Sequence, residues 1–344
     1  MGLINLQTDQ EDLYVDVRTR SHMPFQFYIG PRGTGKSFTC LRQEINNPMT
    51  GDKFLYLRNT KAEVQVATSP VGNAFKRINT VYGTDVIGDF SNQLGFGTFE
   101  MNDKNDIIGY AFGITTFAGA RSIDLTDVSH MVFEEFIPEE HVPKRRARGK
   151  AFLNLYETVN RNRELEGKDA VTVYFLANAI SLADEILLEM GIVNDIQNML
   201  RNGENRRTIP QRGVYIEIID AKVVDKKKDT ALYRLGNTSF NNQALRADFA
   251  NARLNLIQRK FNQRDYVPYI SYAGITIYKS KQERHMHIAA TGETAKNNLL
   301  ETETLRLRSI FRSEYITELG ADRISFDSFE TRNLLEAALK LNDN

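Results

Sequence analysis

The chain has 344 residues, of which 41% are hydrophobic and 26% are charged, a composition typical of a globular protein. The 44 basic and 44 acidic residues cancel, so any contact with nucleic acid would depend on a local basic surface. The single cysteine, Cys40, excludes a disulfide within the chain and suits a reducing compartment. No apolar run reaches the roughly 20 residues of a membrane span, and the acidic N-terminal stretch argues against a secretion signal.

The most informative motif lies near the N-terminus. An apolar stretch, Phe25 to Ile29, precedes the sequence Gly-Pro-Arg-Gly-Thr-Gly-Lys-Ser at residues 30–37. Its glycines let the backbone approach an anion, and the N–H groups of the loop and of the following helix face phosphates. The pattern predicts a phosphate-binding loop, with Lys36 on the β- and γ-phosphates and Ser37 on Mg²⁺. The predicted nucleotide contacts in this segment are Gly30, Pro31, Arg32, Gly33, Thr34, Gly35, Lys36, Ser37 and Phe38.

Beyond this loop, strand-like and helix-like segments alternate, which predicts an α/β fold with a parallel sheet covered by helices on both faces. The expected strands lie at residues 53–57, 94–101, 107–114, 128–133 and 171–177, and the expected helices lie within 61–80, at 152–159 and near 182–190.

The character of the chain changes after residue 191, where asparagine and arginine become frequent, and residues 225–229 read as a solvated linker. We therefore expect a first domain at 1–195, a connector at 196–230 and a small α+β domain at 231–344. Residues 214–219 read as a strand of either the first domain or the connector. The elements expected in the second domain are a helix at 244–261, a hairpin around Ala273 and Gly274, a strand at 285–290 and helices near 294–312 and 328–341.

A second chemical motif follows the loop by about 100 residues. The apolar strand that starts at Val128 ends in two adjacent acids, Glu134 and Glu135. Glu134 is expected in the Mg²⁺ shell, and Glu135 is expected to act as the general base on the attacking water. Aspartate is the usual residue at the first of these positions, and the plainer interpretation is a strand end with solvated acids.

Two further polar residues follow predicted core elements. At helical spacing Arg161 lies about 180° from the core residue Phe152 and therefore points away from its own core. That is the orientation of an arginine finger that enters a neighbouring subunit, although a solvated arginine would look the same. Asn178 ends a buried strand, where it would sense the γ-phosphate, orient water or cap a turn.

The strongest local concentration of positive charge lies at residues 143–150. A loop of this kind binds DNA phosphates without reading base sequence, but it is equally compatible with a solvated loop. Arg58 and Arg121 also occupy positions from which they could face phosphates or DNA. The candidate DNA contacts are Lys61, Lys144, Arg145, Arg146, Arg148 and Lys150.

The chain resembles the DNA-packaging ATPases of phi-29-type tailed phages. The similar segments occur in order and at similar spacing, and they cover most of residues 25–190. They lie at residues 28–37, 54–61, 128–137, 153–164 and 176–181. The resemblance implies an ASCE-type P-loop ATPase that uses ATP and Mg²⁺. It also implies a five-fold homomeric ring that drives double-stranded DNA into a prohead, in the host cytoplasm and transiently at the portal vertex, with a structural RNA as a further candidate partner.

The resemblance also assigns roles by position. Arg161 matches the finger that acts in trans, and Glu135 matches the catalytic acid. Arg121 falls where the family has a basic residue that reaches toward the nucleotide, and Lys61 falls near the expected DNA channel. Glu134 departs from the family, which has aspartate at this position.

Packaging motors commonly end in an RNase H-like nuclease domain, which needs several clustered carboxylates to hold two metal ions. The predicted central hairpin instead carries Ser271 and Tyr272 where an acid would be needed. We therefore expect a small RNase H-like α+β domain that lacks the nuclease acids. The alternatives are a nuclease-competent terminase large subunit, a nucleotide-switched assembly protein that would need neither Glu135 nor Arg161, and a small-molecule kinase, which would need a substrate lid.

Overall fold

The computed structural model describes residues 14–45, 52–101, 106–117, 123–138, 147–178, 184–219, 256–258, 261–321 and 323–340. The chain forms two compact units, residues 1–190 with 198–250 and residues 191–197 with 251–344. No helix in these described ranges is long and apolar enough to cross a membrane.

The first unit contains a nine-stranded sheet. Its strands are β1 (Phe25–Ile29), β2 (Lys53–Arg58), β3 (Val86–Ser91), β4 (Phe96–Met101), β5 (Asp106–Gly113), β6 (Val128–Glu134), β7 (Thr172–Ala177), β8 (Arg206–Ile209) and β9 (Val214–Ile218). Their order is β3-β4-β5-β2-β6-β7-β1-β9-β8. In this order, the six neighbouring strands β5, β2, β6, β7, β1 and β9 are mutually parallel. The antiparallel pairs lie at the two sides of the sheet, where β4 pairs with β3 and β5 and where β8 pairs with β9. The central strands are largely apolar because both of their faces are mostly buried.

Helices cover both faces of this sheet. They are α1 (Lys36–Glu44), α2 (Lys61–Ala67), α3 (Lys76–Tyr82), α4 (Arg148–Asn160) and α5 (Glu185–Glu189), followed by α6 (Val193–Asn202) at the boundary between the units. Successive side chains of a strand point to opposite faces. Tyr28 therefore shares a core cluster with Cys40 of α1. On the other face, the Phe27 ring stacks on Phe175 with centroids 4.2 Å apart, and Phe152 of α4 lies 4.9 Å from Phe175. The predicted α/β sheet with helices on both faces is confirmed.

Three strands of the first unit go beyond the sequence-based expectation: β3 and β8 were not expected, and β9 was assigned to either the first domain or the connector. β3 was not expected, because its side chains are mostly exposed or half-buried and leave only a weak apolar pattern. β9 is parallel to β1, and all five of its residues are buried. The first sheet therefore extends past the expected boundary at residue 195, and the expected connector 196–230 contains β8 and β9. Its segment 225–229 lies outside the described residues.

The second unit contains a five-stranded sheet and two long helices. These elements are β10 (Tyr266–Tyr272), β11 (Ile275–Ser280), β12 (Met286–Ala289), β13 (Asn297–Leu299), α7 (Thr304–Gly320), β14 (Ile324–Phe326) and α8 (Phe329–Leu339). The strand order is β13-β10-β11-β12-β14, with β11 antiparallel to both of its neighbours. The predicted hairpin is confirmed, since Ala273 and Gly274 have φ of 47° and 82°, as the tight turn requires.

One helix prediction in this unit needs revision, and another stays largely untested. The helix expected at 294–312 begins only at Thr304, because residues 297–299 pair with β10 as a parallel strand. Most of the helix expected at 244–261 lies outside the described residues. Within its described part, Ile257 forms an isolated parallel bridge with Phe326. The described elements are α+β as expected, and the RNase H-like assignment stays a prediction.

Candidate active site

The glycine-rich loop connects β1 to α1 at the carboxyl edge of the first sheet. Gly30 N donates to Ala177 O of β7 at 3.1 Å, and a Cβ on Gly30 would lie 2.7 Å from Ile219 Cβ. Gly33 and Gly35 have φ of 69° and 85°, in the left-handed region that glycine tolerates best. Gly35 caps α1 without a side chain, which leaves the first N–H groups of the helix directed toward the loop. This geometry suits an anion.

The Lys36 ammonium lies inside the loop. Its Nζ is 3.0 Å from Gly30 O, 2.8 Å from Pro31 O and 3.3 Å from Thr34 Oγ1, and the residue is buried. These contacts hold a positive charge at the centre of a ring of backbone groups. The loop is therefore organised around the cation that the β- and γ-phosphates of a nucleotide would meet.

A cleft of about 790 Å³ opens beside the loop, within the size range of small-molecule sites. It lies where the carboxyl ends of parallel strands converge, the usual position of ligands in such sheets. The predicted site residues that line it are Arg32, Gly33, Thr34, Gly35, Lys36, Ser37, Phe38, Glu134, Glu135 and Asn178. Residues from the loop, from the end of β6 and from the end of β7 thus meet in one cavity.

Arg58, at the end of β2, connects the acids of this cleft. Its Nη2 lies 2.6 Å from Glu135 Oε2 and 3.5 Å from Glu63 Oε1, and its Nη1 lies 3.3 Å from Glu134 Oε2. Only 14% of its side chain is exposed. Burial disfavours the charged guanidinium, but Tyr56 and the neighbouring glutamates overcome this and raise the pKa of Arg58. The sequence indicated Arg58 only as a possible phosphate or DNA contact. Its position beside β6 was the missing information.

Glu134 and Glu135 are fixed by different partners. The Tyr56 hydroxyl donates to Glu134 Oε2, and burial raises the pKa of Tyr56 well above its ordinary value, so it stays a donor. Asn59 Nδ2 donates to Glu135 O at 2.6 Å, and Glu135 has φ of 51°. A non-glycine residue in this region is strained, and such strain often marks functional sites. The structure therefore holds the Glu135 backbone and carboxylate in one defined arrangement.

The cleft also carries ligands suited to magnesium. The Ser37 hydroxyl and the Glu134 carboxylate line the same cavity. Both supply the oxygen donors that Mg²⁺ prefers, and Mg²⁺ usually keeps several waters when only one or two protein ligands are present. The residues therefore fit the predicted metal ion, with glutamate in the place of the usual aspartate.

Arg161 lies near the amino-terminal ends of the parallel strands, whereas the cleft lies at their carboxyl ends. Arg161 follows α4, is exposed, and has φ 42° and ψ −124°, a conformation that glycine normally adopts. Arg163 Nη1, two residues later, lies 3.2 Å from Thr126 O and 3.3 Å from Val128 O, at the start of β6. The seven residues of β6 span roughly 23 Å at about 3.3 Å per residue. Arg161 therefore cannot complete the cleft of its own chain.

The candidate DNA contacts have different outcomes. Arg148 is buried, donates to Phe136 O and pairs with Asp184 at 2.8 Å, so it is a structural residue and its expected DNA contact is wrong. Lys150 is exposed on the same helix. Lys61 begins α2, with Nζ 5.4 Å from the centroid of the Phe90 ring. The remaining candidates, Lys144, Arg145 and Arg146, and the nucleotide candidate Arg121 lie outside the described residues.

In the second unit, side chains with hydroxyl groups occupy the hairpin positions where a nuclease would carry acids. Ser271 Oγ accepts from Ala295 N at 2.6 Å and donates to Glu293 O, and the Tyr272 hydroxyl donates to Glu301 O at 3.1 Å. Across the described residues, no group of three or more His, Cys, Asp or Glu side chains is placed to hold a metal ion.

Comparison with known proteins gives matches along most of the chain. The family described as Podovirus DNA encapsidation protein (Gp16) matches residues 15–316. The DNA packaging protein of Bacillus phage phi29 is 27% identical over 259 residues, which cover 73% of this chain and 70% of that protein.

Two solved structures share the fold. A chain of the bacteriophage Phi-29 viral genome packaging motor assembly aligns with a TM-score of 0.65 and 19% identity, over 96% of this chain and 99% of that chain. A chain of the Phi-28 gp11 DNA packaging motor aligns with a TM-score of 0.58 and 14% identity, over 96% and 97% of the two chains.

Proposed function

The chain belongs to the podovirus DNA encapsidation protein (Gp16) family, and we propose that it is the ATPase of a phage DNA-packaging motor. The observation that carries the proposal is the cleft, where Lys36 and Ser37 of the loop face Glu134 and Glu135. This set combines a phosphate cradle, oxygen ligands for a cation and a general base, which are central parts of a nucleotide-hydrolysing site. The position of β7 between β1 and β6 agrees with an ASCE-type P-loop sheet.

The proposed site residues of the cleft have different roles in ATP hydrolysis. Lys36 and the loop N–H groups hold the phosphates of ATP. Ser37 and Glu134 would hold Mg²⁺, which neutralises phosphate charge when it is bound. Glu135 accepts the proton of the attacking water. Asn178, at the end of the adjacent strand, orients that water or contacts the γ-phosphate.

In the described arrangement the proposed general base, Glu135, is paired with Arg58. Arg58 Nη2 lies 2.6 Å from Glu135 Oε2 and so occupies one of the oxygens that could accept a proton from water. Glu135 Oε2 would have to separate from Arg58 before it could act on the attacking water. Arg58 can remain paired with Glu134 or Glu63 after that movement.

A second subunit supplies the missing finger. Arg161 lies at the far edge of its own sheet, and a finger contributed in trans typically accelerates hydrolysis by about 10³–10⁵. A closed ring of identical subunits, five-fold as the sequence resemblance implies, would place one Arg161 at each cleft. The ring would act on double-stranded DNA at the prohead portal, with a structural RNA as a further candidate partner and the RNase H-like unit serving in binding.

Mixed assemblies test this function. Glu135→Gln chains and Arg161→Ala chains are each expected to hydrolyse ATP poorly. When mixed under assembling conditions, an Arg161→Ala chain beside a Glu135→Gln chain has both its own base and a neighbour's finger. Turnover should therefore recover in the mixture.

The matched control is Lys168→Ala, which removes an exposed cation from the same turn. These chains should keep their activity alone and in mixtures. If co-assembled Glu135→Gln and Arg161→Ala chains stay inactive, catalysis is completed within one chain and the trans assignment is wrong.

A further inference from the structure

The two most exposed large apolar side chains of the described residues are Leu165 and Val71, with 87% and 82% exposure. Leu165 lies four residues after Arg161. Val71 precedes Gly72, which lines the cleft, and Val66 lines the same cleft with 61% exposure. Single exposed apolar residues are common. Here, however, Leu165 lies close to the proposed arginine finger in sequence, and Val66 and Val71 lie beside the cleft that the finger of another chain would enter.

The turn that carries Leu165 is held by its own hydrogen bonds. Glu166 N donates to Asn162 O at 3.0 Å, and Lys168 N donates to Arg163 O at 2.9 Å. Arg163 in turn binds the backbone at the start of β6. Leu165 is therefore presented to solvent on a fixed turn, at a constant offset from Arg161.

The rim of the cleft is equally well defined. Ala74 N donates to Ala67 O at 2.9 Å, and Gly72 N donates to Ser69 Oγ at 3.0 Å. These bonds fold the loop after α2 back along the helix. A Cβ on Gly72 would lie 2.4 Å from Val66 O, so this approach requires glycine. Val66 and Val71 thus belong to one apolar rim beside the cleft.

We propose that this rim binds Leu165 of a second copy of the chain, so that Leu165 anchors the turn that delivers Arg161. The inference rests on the proposed function and adds the docking surface. The turn lies at the starts of the parallel strands and the rim at their ends. The contact is therefore head-to-tail, which produces a ring or a filament.

Reach and charge both agree with this docking. Four residues span at most about 14 Å, so Leu165 on the rim leaves Arg161 within reach of the same cleft. Exposed Glu164 and Glu166 flank Leu165. On the rim, Lys76 is exposed and its Nζ lies 3.3 Å from Val71 O. Arg77, also exposed, lines the cleft. The two acids that flank Leu165 therefore face basic residues on the rim, although the turn as a whole also carries Arg161, Arg163 and Lys168.

Disulfide trapping tests the contact directly. Cys40 is fully buried, so introduced cysteines react with little background. Leu165→Cys chains are mixed with Val71→Cys chains under the assembling conditions and oxidised. We expect a crosslinked pair in the mixture, none with either variant alone, and a ladder of oligomers from the doubly substituted chain. Replacing Val71→Cys by Leu305→Cys, which is 77% exposed in the second unit, controls for random collision.

The outcomes separate the docking from the function. Self-crosslinking of Leu165→Cys alone would show a symmetric contact and overturn the proposal. Recovery of ATPase activity in the Glu135→Gln and Arg161→Ala mixture without the Leu165–Val71 crosslink would overturn the docking and leave the function intact. Loss of both signals would count against the proposed function itself.

A second measurement tests the apolar contact of Leu165 through the concentration dependence of ATPase activity. Leu165→Asp should raise the chain concentration for half-maximal ATPase activity about ten-fold or more, with little change in the rate at saturation, because it removes apolar burial from the contact. Leu165→Met should restore the wild-type value. An unchanged concentration dependence for Leu165→Asp would overturn the anchor role.

Discussion

At the scale of single residues, Arg58 is the cation that three carboxylates share. Removing it would leave Glu63, Glu134 and Glu135 mutually repulsive beside a site for a triphosphate. We expect Arg58→Ala to weaken ATP binding by ten-fold or more, about 1.4 kcal/mol or more. Arg58→Lys should lie between, since lysine keeps the charge but loses the fork geometry. Titration with a fluorescent ATP analogue measures the effect, and equal affinities for Arg58→Ala and wild type would refute it.

His287 on β12 is a second residue whose burial has a measurable consequence. Its ring is fully buried, with Nδ1 2.8 Å from Ser325 Oγ and the Phe261 ring centroid 4.0 Å away. Among the residues that the structure describes, none forms a hydrogen bond with Nε2. Burial lowers its pKa from the ordinary 6.5 to about 4. The unfolded chain therefore binds the proton first, and stability falls as pH drops from 6.5 toward 4.

From pH 7 to pH 5, this histidine should remove about 2 kcal/mol from the free energy of unfolding, at 1.36 kcal/mol per pKa unit. His287→Gln should shrink the difference between the two pH values by that amount. Urea unfolding followed by circular dichroism at both pH values gives the comparison. An identical pH dependence in the variant would show that His287 does not titrate in this way.

The sequence identified most of the cleft residues but not their mutual contacts. The loop, Glu134, Glu135 and Asn178 could be predicted because each follows an apolar strand, and the ends of parallel strands meet. Arg58 also ends a strand, yet nothing local to it indicates that β2 lies directly beside β6. That adjacency is set by the packing of the whole sheet.

At the scale of elements, the start of α4 is tied to α5 by a buried ion pair. Arg148 Nη1 lies 2.8 Å from Asp184 Oδ2, and Asp184 caps α5 by accepting from Ile186 N. Arg148→Ala would leave a buried carboxylate without its cation and should cost about 3–5 kcal/mol. Thermal unfolding measures this. Lys150→Ala, an exposed change on the same helix, should stay within about 0.5 kcal/mol.

The double variant sharpens that test. Changing Arg148→Met together with Asp184→Asn removes both charges, so most of the lost stability should return. If Arg148→Ala melts like the wild type, the ion pair does not hold the two helices together.

Strand positions followed from local patterns more readily than strand partners did. β1, β2, β6 and β7 are largely apolar, and each lies where its pattern indicates. β9 was recognisable as a strand, but its pairing with β1 depends on residues almost 190 positions apart in sequence. β13 has only three residues and is recognisable only through its pairing with β10.

At the scale of the whole molecule, catalysis should depend on assembly. If each cleft needs the Arg161 of another chain, ATP turnover per chain should rise with chain concentration and reach a plateau once every cleft has a neighbour. Arg161→Ala should stay low at all concentrations. A turnover per chain that is constant from dilute to concentrated wild-type protein would show that one chain suffices.

The opposed positions of the Arg161 turn and the cleft give the chain the logic of an AB-type monomer in polymer chemistry. One end donates and the other accepts, so any open assembly keeps an unmatched donor at one terminus and an unmatched acceptor at the other. Only cyclisation satisfies every cleft. In such a ring each chain activates one neighbour and is activated by the other, so a signal relayed from site to site travels in a single rotational sense.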